Sequence, residues 1–314
     1  MLHSIVVVLA ASSGAFALLH FAPGDPISHM ATLNNVPREL LAQWRHTEGY
    51  DQPVGQQYLR WIGNVAHGDF GKSSSQKRPA LDVIVDRLPN TLILMSLALG
   101  ASVLFGALLG AWQGARVGRR TERVWSFVLL VVNAVPEFWL AMGLLTVFAL
   151  RIPLLPAGGM IDVAMHDSMS TTQQLWDRVR HLILPWASLT LVGGAVFARY
   201  QREAMRDAMR EPFVQTARAK GLTERGARRH AWRSAVLPVI TLTGLFFPAL
   251  FTGAVFVERI FGWPGMGDAL LTAVSSRDYM LVSACVIVGS ATTTIGALLA
   301  DVARAFVDPR LRHV

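Results

Sequence analysis

Six long apolar runs, separated by connections that hold nearly all the charge, set what this chain can fold into. They are Ser4–Phe21, Leu92–Trp112, Val124–Leu150, Leu182–Ala198, Val236–Val257 and Met280–Ala300. A bilayer core of about 30 Å is crossed by about 20 apolar residues of helix. The first and fourth runs are short and need extension into their flanks. Only the third contains a charged residue, Glu137. In lipid a helix satisfies its own backbone hydrogen bonds, so runs of this kind predict an all-α, polytopic membrane protein with six transmembrane helices.

Composition agrees. Of 314 residues, 52% are hydrophobic and 16% charged, with a mean hydropathy of +0.39. Soluble domains carry about a quarter charged residues. The net charge of +8 would suit nucleic acid if it formed one basic face, but it lies in short segments between apolar runs. That distribution fits membrane orientation, with lipid rather than nucleic acid as the partner. The single cysteine, Cys285, excludes an intrachain disulfide framework, and the nine histidines fall into no metal-ligand spacing.

Orientation follows from the basic residues. The 2–3 connection, the 4–5 connection and the C-terminal tail hold 17 Lys and Arg, against 12 in the longer segments on the other side. Both termini are therefore expected in the cytoplasm. Ala15-Phe16-Ala17 resembles a signal-peptidase site, yet no Lys or Arg precedes Arg38 and the apolar run continues to Phe21. A retained span is expected rather than a cleaved signal peptide, and the missing basic residues leave open whether the N-terminus is complete. The organisation is then a first transmembrane helix (1–21), a small extracytoplasmic helical cap (22–90) and a core transmembrane domain (91–314) with its coupling loop at 203–237. Within the cap, short amphipathic helices are expected at Pro37–His46, Gln56–Ala66 and Ala80–Leu88, with Pro37 and Pro79 at first helical positions.

Ala66-His67-Gly68-Asp69-Phe70-Gly71-Lys72-Ser73 falls one residue short of a phosphate-binding loop, with Ala66 where the first Gly belongs. Such a loop needs a buried strand before it and a helix after it. Here an amphipathic helix precedes it, and no ATP binding is expected in this chain. The 4–5 connection is more informative. Glu211-Pro212 reads as a helix start, Gly221 as a helix end, and Thr223 as the cap of a second helix that Pro238 punctuates. Ala217 and Ala219 are small enough for a partner surface to approach the backbone. A plain basic loop near anionic lipid is the bland alternative, but it would not need a glycine corner between two capped helices. Gly106, Gly110 and Gly114 form a ladder of the kind that lets helices pack closely. Glu137, near mid-span, is read either as a pore-lining acid or as a carboxyl bonded beside the Pro136 break.

Thr216-Ala-Arg-Ala-Lys-Gly221, with Arg229-His230-Ala231 and Leu237-Pro238, resembles the cytoplasmic coupling loop of binding-protein-dependent ABC importer permeases. More narrowly it resembles the dipeptide/oligopeptide/nickel permease family. The likeness includes Ala22-Pro-Gly-Asp-Pro26, Tyr50-Asp-Gln-Pro53, Gln57-Tyr-Leu-Arg-Trp61, Gly68-Asp-Phe-Gly71 and Arg87-Leu-Pro-Asn-Thr91. It continues through Pro136 with Phe138-Trp139, Phe261-Gly-Trp-Pro-Gly-Met-Gly267, Arg277-Asp-Tyr279 and Asp308-Pro-Arg310. The resemblance implies the type I ABC importer permease fold: six spans, a small extracytoplasmic cap and a cytoplasmic coupling helix. It also implies a bacterial inner-membrane complex with a second homologous permease subunit, two ABC ATPase subunits and an extracytoplasmic substrate-binding protein. This chain would be no enzyme and carry no cofactor, with ATP and Mg on the partner ATPases. Coupling to them would fall to Glu211, Thr216, Ala217, Arg218, Ala219, Lys220 and Gly221. Glu137, Trp263, Pro264 and Gly265 are the pore or gate candidates.

The chain departs from the general coupling motif at Gln215, Thr216 and Ala217, where Glu-Ala-Ala is usual, and its Leu-Pro comes later, at 237–238. Peptides are the expected substrate, with nickel or another small peptide-like solute as the alternative. A proton-coupled secondary carrier using Glu137 as relay is the rival of another class, but the internal repeats and paired broken helices of such carriers are not evident.

Overall fold

The computed structural model of the protein describes residues 2–21, 52–252 and 254–307. The expected helix at Pro37–His46 and the motifs at Ala22–Pro26 and Asp308–Arg310 lie outside the described residues, as do Tyr50 and Asp51 of the Tyr50–Pro53 motif. Within them the regular elements are helical, and the one β pairing is an isolated bridge between Lys72 and Pro79. Helix α1 (Leu2–Phe21) packs along the last helix of the chain, and α2 (Val54–Ala66) follows the undescribed segment.

Helix α3 runs unbroken from Ala80 to Gly114. The separate cap helix expected at Ala80–Leu88 is therefore the first turns of this long element, and Pro79 is its N-cap rather than its first residue. Those turns are apolar on one face: Ala80, Val83 and Ile84 are buried against Met266, Ala273, Leu281 and Ala284. That burial holds the helix together through Pro89, which lacks the N–H for one backbone bond.

The third run is not straight. Helix α4 (Arg120–Ala134) meets α5 (Glu137–Leu145) at a bend of 100°, and a π-helical turn at Thr146–Arg151 closes the run. Pro136 accounts for the break, because its ring pushes the preceding Val135 out of the helical region to ψ 129°. Helix α6 spans Thr171–Ala208, opened by a capping box between Ser170 and Gln173. The short Leu182–Ala198 run is thus extended at both ends.

The 4–5 connection folds into helices α7 (Pro212–Ala219) and α8 (Glu224–Ala235). The fifth apolar run is broken into α9 (Leu237–Phe246), α10 (Ala249–Thr252) and α11 (Val255–Ile260). Pro248 has no N–H to continue the α9 ladder. Helices α12 (Met266–Ser275) and α13 (Tyr279–Val307) complete the chain.

Among the described residues three helices are long and apolar enough to cross a membrane: α3, α6 and α13 over Tyr279–Leu299. The bent α4–α5 pair passes the same test when taken together. The bundle is centred on α3 against α6, where the glycine ladder does what its spacing predicts. A Cβ on Gly106 would lie 2.5 Å from the Phe197 Cβ, and one on Gly114 would lie 2.5 Å from the Arg202 carbonyl oxygen. Leu97, Leu104, Phe105 and Leu108 of α3 point outward, as residues facing lipid or a partner helix do.

Candidate functional site

At one end of the bundle the 4–5 connection folds as its sequence predicts. Glu211 stands at the N-cap of α7 and Pro212 at the first turn, where its missing N–H leaves nothing unpaired. The helix ends with Gly221 at φ +82°, and Leu222 N–H reaches back to the Ala217 carbonyl at 3.2 Å. A Cβ at Gly221 would meet nothing within 4 Å, so the constraint there is backbone conformation, not space. The Thr223 hydroxyl accepts from Gly226 N–H at 3.3 Å and caps α8. Arg218 and Glu224 bridge the corner at 3.0 Å.

One face of this helical pair is fixed and the other is free. Val214, Ala227, Ala231 and Ala235 are buried against Met205 and Ala208 of α6. That leaves Glu211, Thr216, Arg218, Ala219 and Lys220 exposed, with Ala217 half-buried between them. Thr216, Arg218, Ala219, Lys220 and Gly221 thus form an open stretch of basic and small residues. Beside it, Arg202 donates from Nε and Nη2 to Glu122 Oε1, both at 2.8 Å, and also pairs with Glu203. Glu122 is 3% exposed, so this doubly donated pair clamps α4 to α6 next to α7 and α8.

The opposite end holds a second cluster, built around a residue the sequence pattern did not single out. Glu258 on α11 is 0% exposed. Its carboxylate accepts from the Thr91 hydroxyl at 2.8 Å and from Asp268 N–H at 3.0 Å, so it sits at the N-terminus of α12. Thr91 in turn accepts from Met266 N–H at 2.8 Å. Gly265 and Gly267 line the cradle: a Cβ on Gly265 would fall 2.5 Å from Glu258 Oε1. Asn90 donates to the Pro264 carbonyl at 2.9 Å, and its own carbonyl accepts from Trp263 Nε1 at 3.0 Å. Arg87 and Arg259 converge on Asp268 at 3.4 and 3.1 Å. The motifs at 87–91 and 261–267, far apart in sequence, are two halves of one clasp.

Asp278 forms a neighbouring tie. One carboxylate oxygen accepts from the Ser73 hydroxyl at 2.5 Å and from the Ser75 N–H and hydroxyl at 2.9 and 2.7 Å. The other accepts from Leu281 N–H at 3.1 Å and caps α13. Burial works to raise this carboxyl's pKa, but the donors from Ser73, Ser75 and Leu281 outweigh it and hold the pKa below its ordinary value. The phosphate-loop lookalike ends in this tie. Ser73 is engaged with Asp278, Lys72 pairs with Pro79, and the next helix begins only at Ala80.

The gate candidates divide. Trp263 and Gly265 are buried inside the clasp and Pro264 is half-buried. Glu137 is the first residue of α5 at the 100° bend, half-buried, with no hydrogen-bond or ion-pair partner among the described residues. Its neighbour Phe138 meets Phe256 of α11 at 6.1 Å between ring centroids, which sets the bend beside the clasp. Farther out, Asp177 on α6 holds His166 at 2.7 Å, His181 at 3.1 Å and Asp162 N–H at 2.9 Å, and so fastens the loop before α6. Glu258 was legible only as a lone acid seven residues ahead of Gly265. The Asp177 pairs had no sequence signal beyond the spacing of Asp177 and His181 on one helix face.

Comparison with known proteins identifies the family. A family model described as "Binding-protein-dependent transport system inner membrane component" matches residues 102–313, and the N-terminal model of the same component matches residues 1–95. Similar proteins include the oligopeptide transport system permease protein AppB of Bacillus subtilis, 34% identical over 99% of this chain and 97% of its own length. OppB of Mycobacterium tuberculosis, named an oligopeptide transport system permease, has the same identity and coverage. The dipeptide transport system permease protein DppB of Escherichia coli is 34% identical over 95% of this chain and 93% of its own.

Proposed function

The chain belongs to the binding-protein-dependent transport system inner membrane components, and on that premise we propose that it forms the translocation path of an ATP-driven importer for di- or oligopeptides. The observation that carries this reading is the surface of α7 and the Gly221 corner: anchored on one side to α6, free on the other, small and basic. A nucleotide-driven partner needs such a rigid handle. Relatives along almost the whole chain are named oligopeptide or dipeptide permeases, which supports peptides as the substrate class.

In this reading six spans cross the inner membrane, the fifth through α9 to α11, and both termini are cytoplasmic. The distribution of 17 basic residues against 12 supports that orientation. A second homologous permease completes the path. One of two ATPase subunits seats on the exposed residues from Glu211 to Gly221, the other on the second permease, and the two carry ATP and Mg. An extracytoplasmic binding protein delivers the peptide to the end where residues 66–79 and the Glu258 clasp lie. ATP binding closes the ATPase pair, the coupling helices move with it, and the α3–α6 core converts between inward- and outward-facing forms. Glu137, an acid without a partner at a helix break, would face the path and engage the peptide's cationic terminus.

The test is ATPase activity of the assembled complex. It should rise when peptide-loaded binding protein is added and stay at its basal rate with empty binding protein. Hydrolysis indifferent to both would remove the importer reading.

A further inference from the structure

We propose that the turn between α3 and α4 is a binding surface for anionic phospholipid, with Arg116, Arg119, Arg120 and Arg123 holding headgroup phosphates. The proposal rests on α3 and α4 lying in the membrane and is independent of what the complex carries. Residues 115–119 join the two helices. Apolar helix flanks the turn on both sides, with Trp112 near the end of α3 and Val124 opening the apolar part of α4. The four arginines of residues 116–123 therefore stand within a side-chain length of the hydrocarbon boundary, at headgroup level.

A preference for basic residues on one side of the membrane explains their side but not their density or their positions. Arg119 is the N-cap of α4, and Arg120 and Arg123 lie in its first turns, where the helix dipole disfavours cations. Arg120 and Arg123 are also three apart on one helix face, a spacing at which like charges repel. None of the four has an ion-pair partner among the described residues. The one acid of this turn, Glu122, is buried and engaged by Arg202. In the 4–5 connection, by contrast, Arg206 and Arg218 each have a carboxylate partner.

A phosphate would offset both costs at once. Arg116 is held in place, its guanidinium 4.8 Å from the Trp112 ring centroid and donating to the Trp112 carbonyl at 3.4 Å. Arg119, Arg120 and Arg123 are exposed, and so are the apolar Val117 and Trp125 on the same turn and the start of α4. Phospholipid suits both kinds of group: its phosphate accepts from guanidinium donors, and its glycerol and acyl region covers indole and valine side chains.

The experiment reconstitutes the complete complex, ATPase subunits included, in phosphatidylcholine vesicles with a trace of photoactivatable phosphatidylglycerol, and maps the attached lipid by peptide mass spectrometry. Phosphatidylglycerol should attach within residues 112–125 at least about tenfold more than photoactivatable phosphatidylcholine does, given several arginines on one headgroup region. Unlabelled phosphatidylglycerol should displace it and inorganic phosphate should not. Arg119→Gln, Arg120→Gln and Arg123→Gln should each weaken attachment about fivefold, and together about a hundredfold. Equal attachment of the two lipids in this stretch, or attachment only elsewhere, overturns the proposal. So does wild-type attachment to the triple variant, or displacement by inorganic phosphate, which would make the turn a site for a free anion. Attachment that appears only after the ATPase subunits are stripped away also overturns it, because the arginines would then belong to a protein interface. The two-lipid comparison on wild type decides by itself if the triple variant fails to insert. Peptide uptake is read separately, so a complex that selects phosphatidylglycerol but imports nothing would sink the importer reading and leave this one standing.

Discussion

Glu258→Ala should unfasten the clasp between α3, α11 and α12. The carboxylate is 0% exposed and accepts from the Thr91 hydroxyl and the Asp268 N–H. Alanine leaves both donors buried without an acceptor, at about 1–3 kcal/mol each, and opens a cavity besides. The expected destabilisation is about 3–5 kcal/mol, the sum of the two stranded donors and the cavity. At roughly 2–4 °C per kcal/mol for chains of this size, the unfolding midpoint should drop by about 10 °C. Glu258→Gln keeps the shape and one acceptor oxygen and should lose only about 1–2 kcal/mol. Gly265→Ala places a Cβ 2.5 Å from Glu258 Oε1 and should act in the same direction as the alanine variant. Thermal unfolding of the purified permease in lipid nanodiscs, followed by tryptophan fluorescence, reads all three. A double-mutant cycle with Thr91→Val should show coupling above about 0.5 kcal/mol. An alanine variant within 1–2 °C of wild type, on that same scale, would refute the assignment of Glu258 as the pin of this junction.

Gly221→Val should strain the corner by about 1 kcal/mol or more without a clash, since φ is +82° and the space is open. Ala217→Trp should block approach of the ATPase. Both variants should reach the membrane in normal amount yet lose uptake, with the ATPase released on purification or no longer stimulated, and normal transport by both would exclude this segment as the docking element. Glu137→Gln should preserve assembly and change transport rate or peptide preference, whereas unchanged uptake across several peptides would leave it a purely structural group. After replacement of Cys285, cysteines at Ser74 and Ser275 should react with an impermeant reagent in intact cells. Cysteines at Thr121 and Thr223 should not, and labelling at Thr223 would invert the orientation.

The sequence was most legible where local chemistry decides structure. Pro212, Gly221 and Thr223 each carry a backbone preference that fixes a helix start, a corner or a cap, and all three act as expected. The glycine ladder was equally plain because a four-residue spacing places small residues on one helix face. Long-range pairing was not legible. Nothing near Thr91 announces Glu258, 167 positions later, and nothing near Ser73 announces Asp278, because a buried carboxylate chooses its donors in three dimensions. Proline was an uneven guide. Pro79 suggested the start of a separate cap helix, yet burial of Ala80, Val83 and Ile84 carries α3 on through Pro89. Pro136, by contrast, turns the third run by 100°. The deciding factor is packing on the neighbouring face, which periodicity alone does not reveal.

The most direct measurement is uptake by the complete complex in sealed vesicles, with ATP inside and binding protein plus a labelled peptide outside. The account predicts that labelled peptide accumulates above its external concentration only with hydrolysable ATP and a binding protein that holds it, and that Ala217→Trp abolishes this. Accumulation driven by a proton gradient without ATP, or equal entry with and without the binding protein, would contradict it.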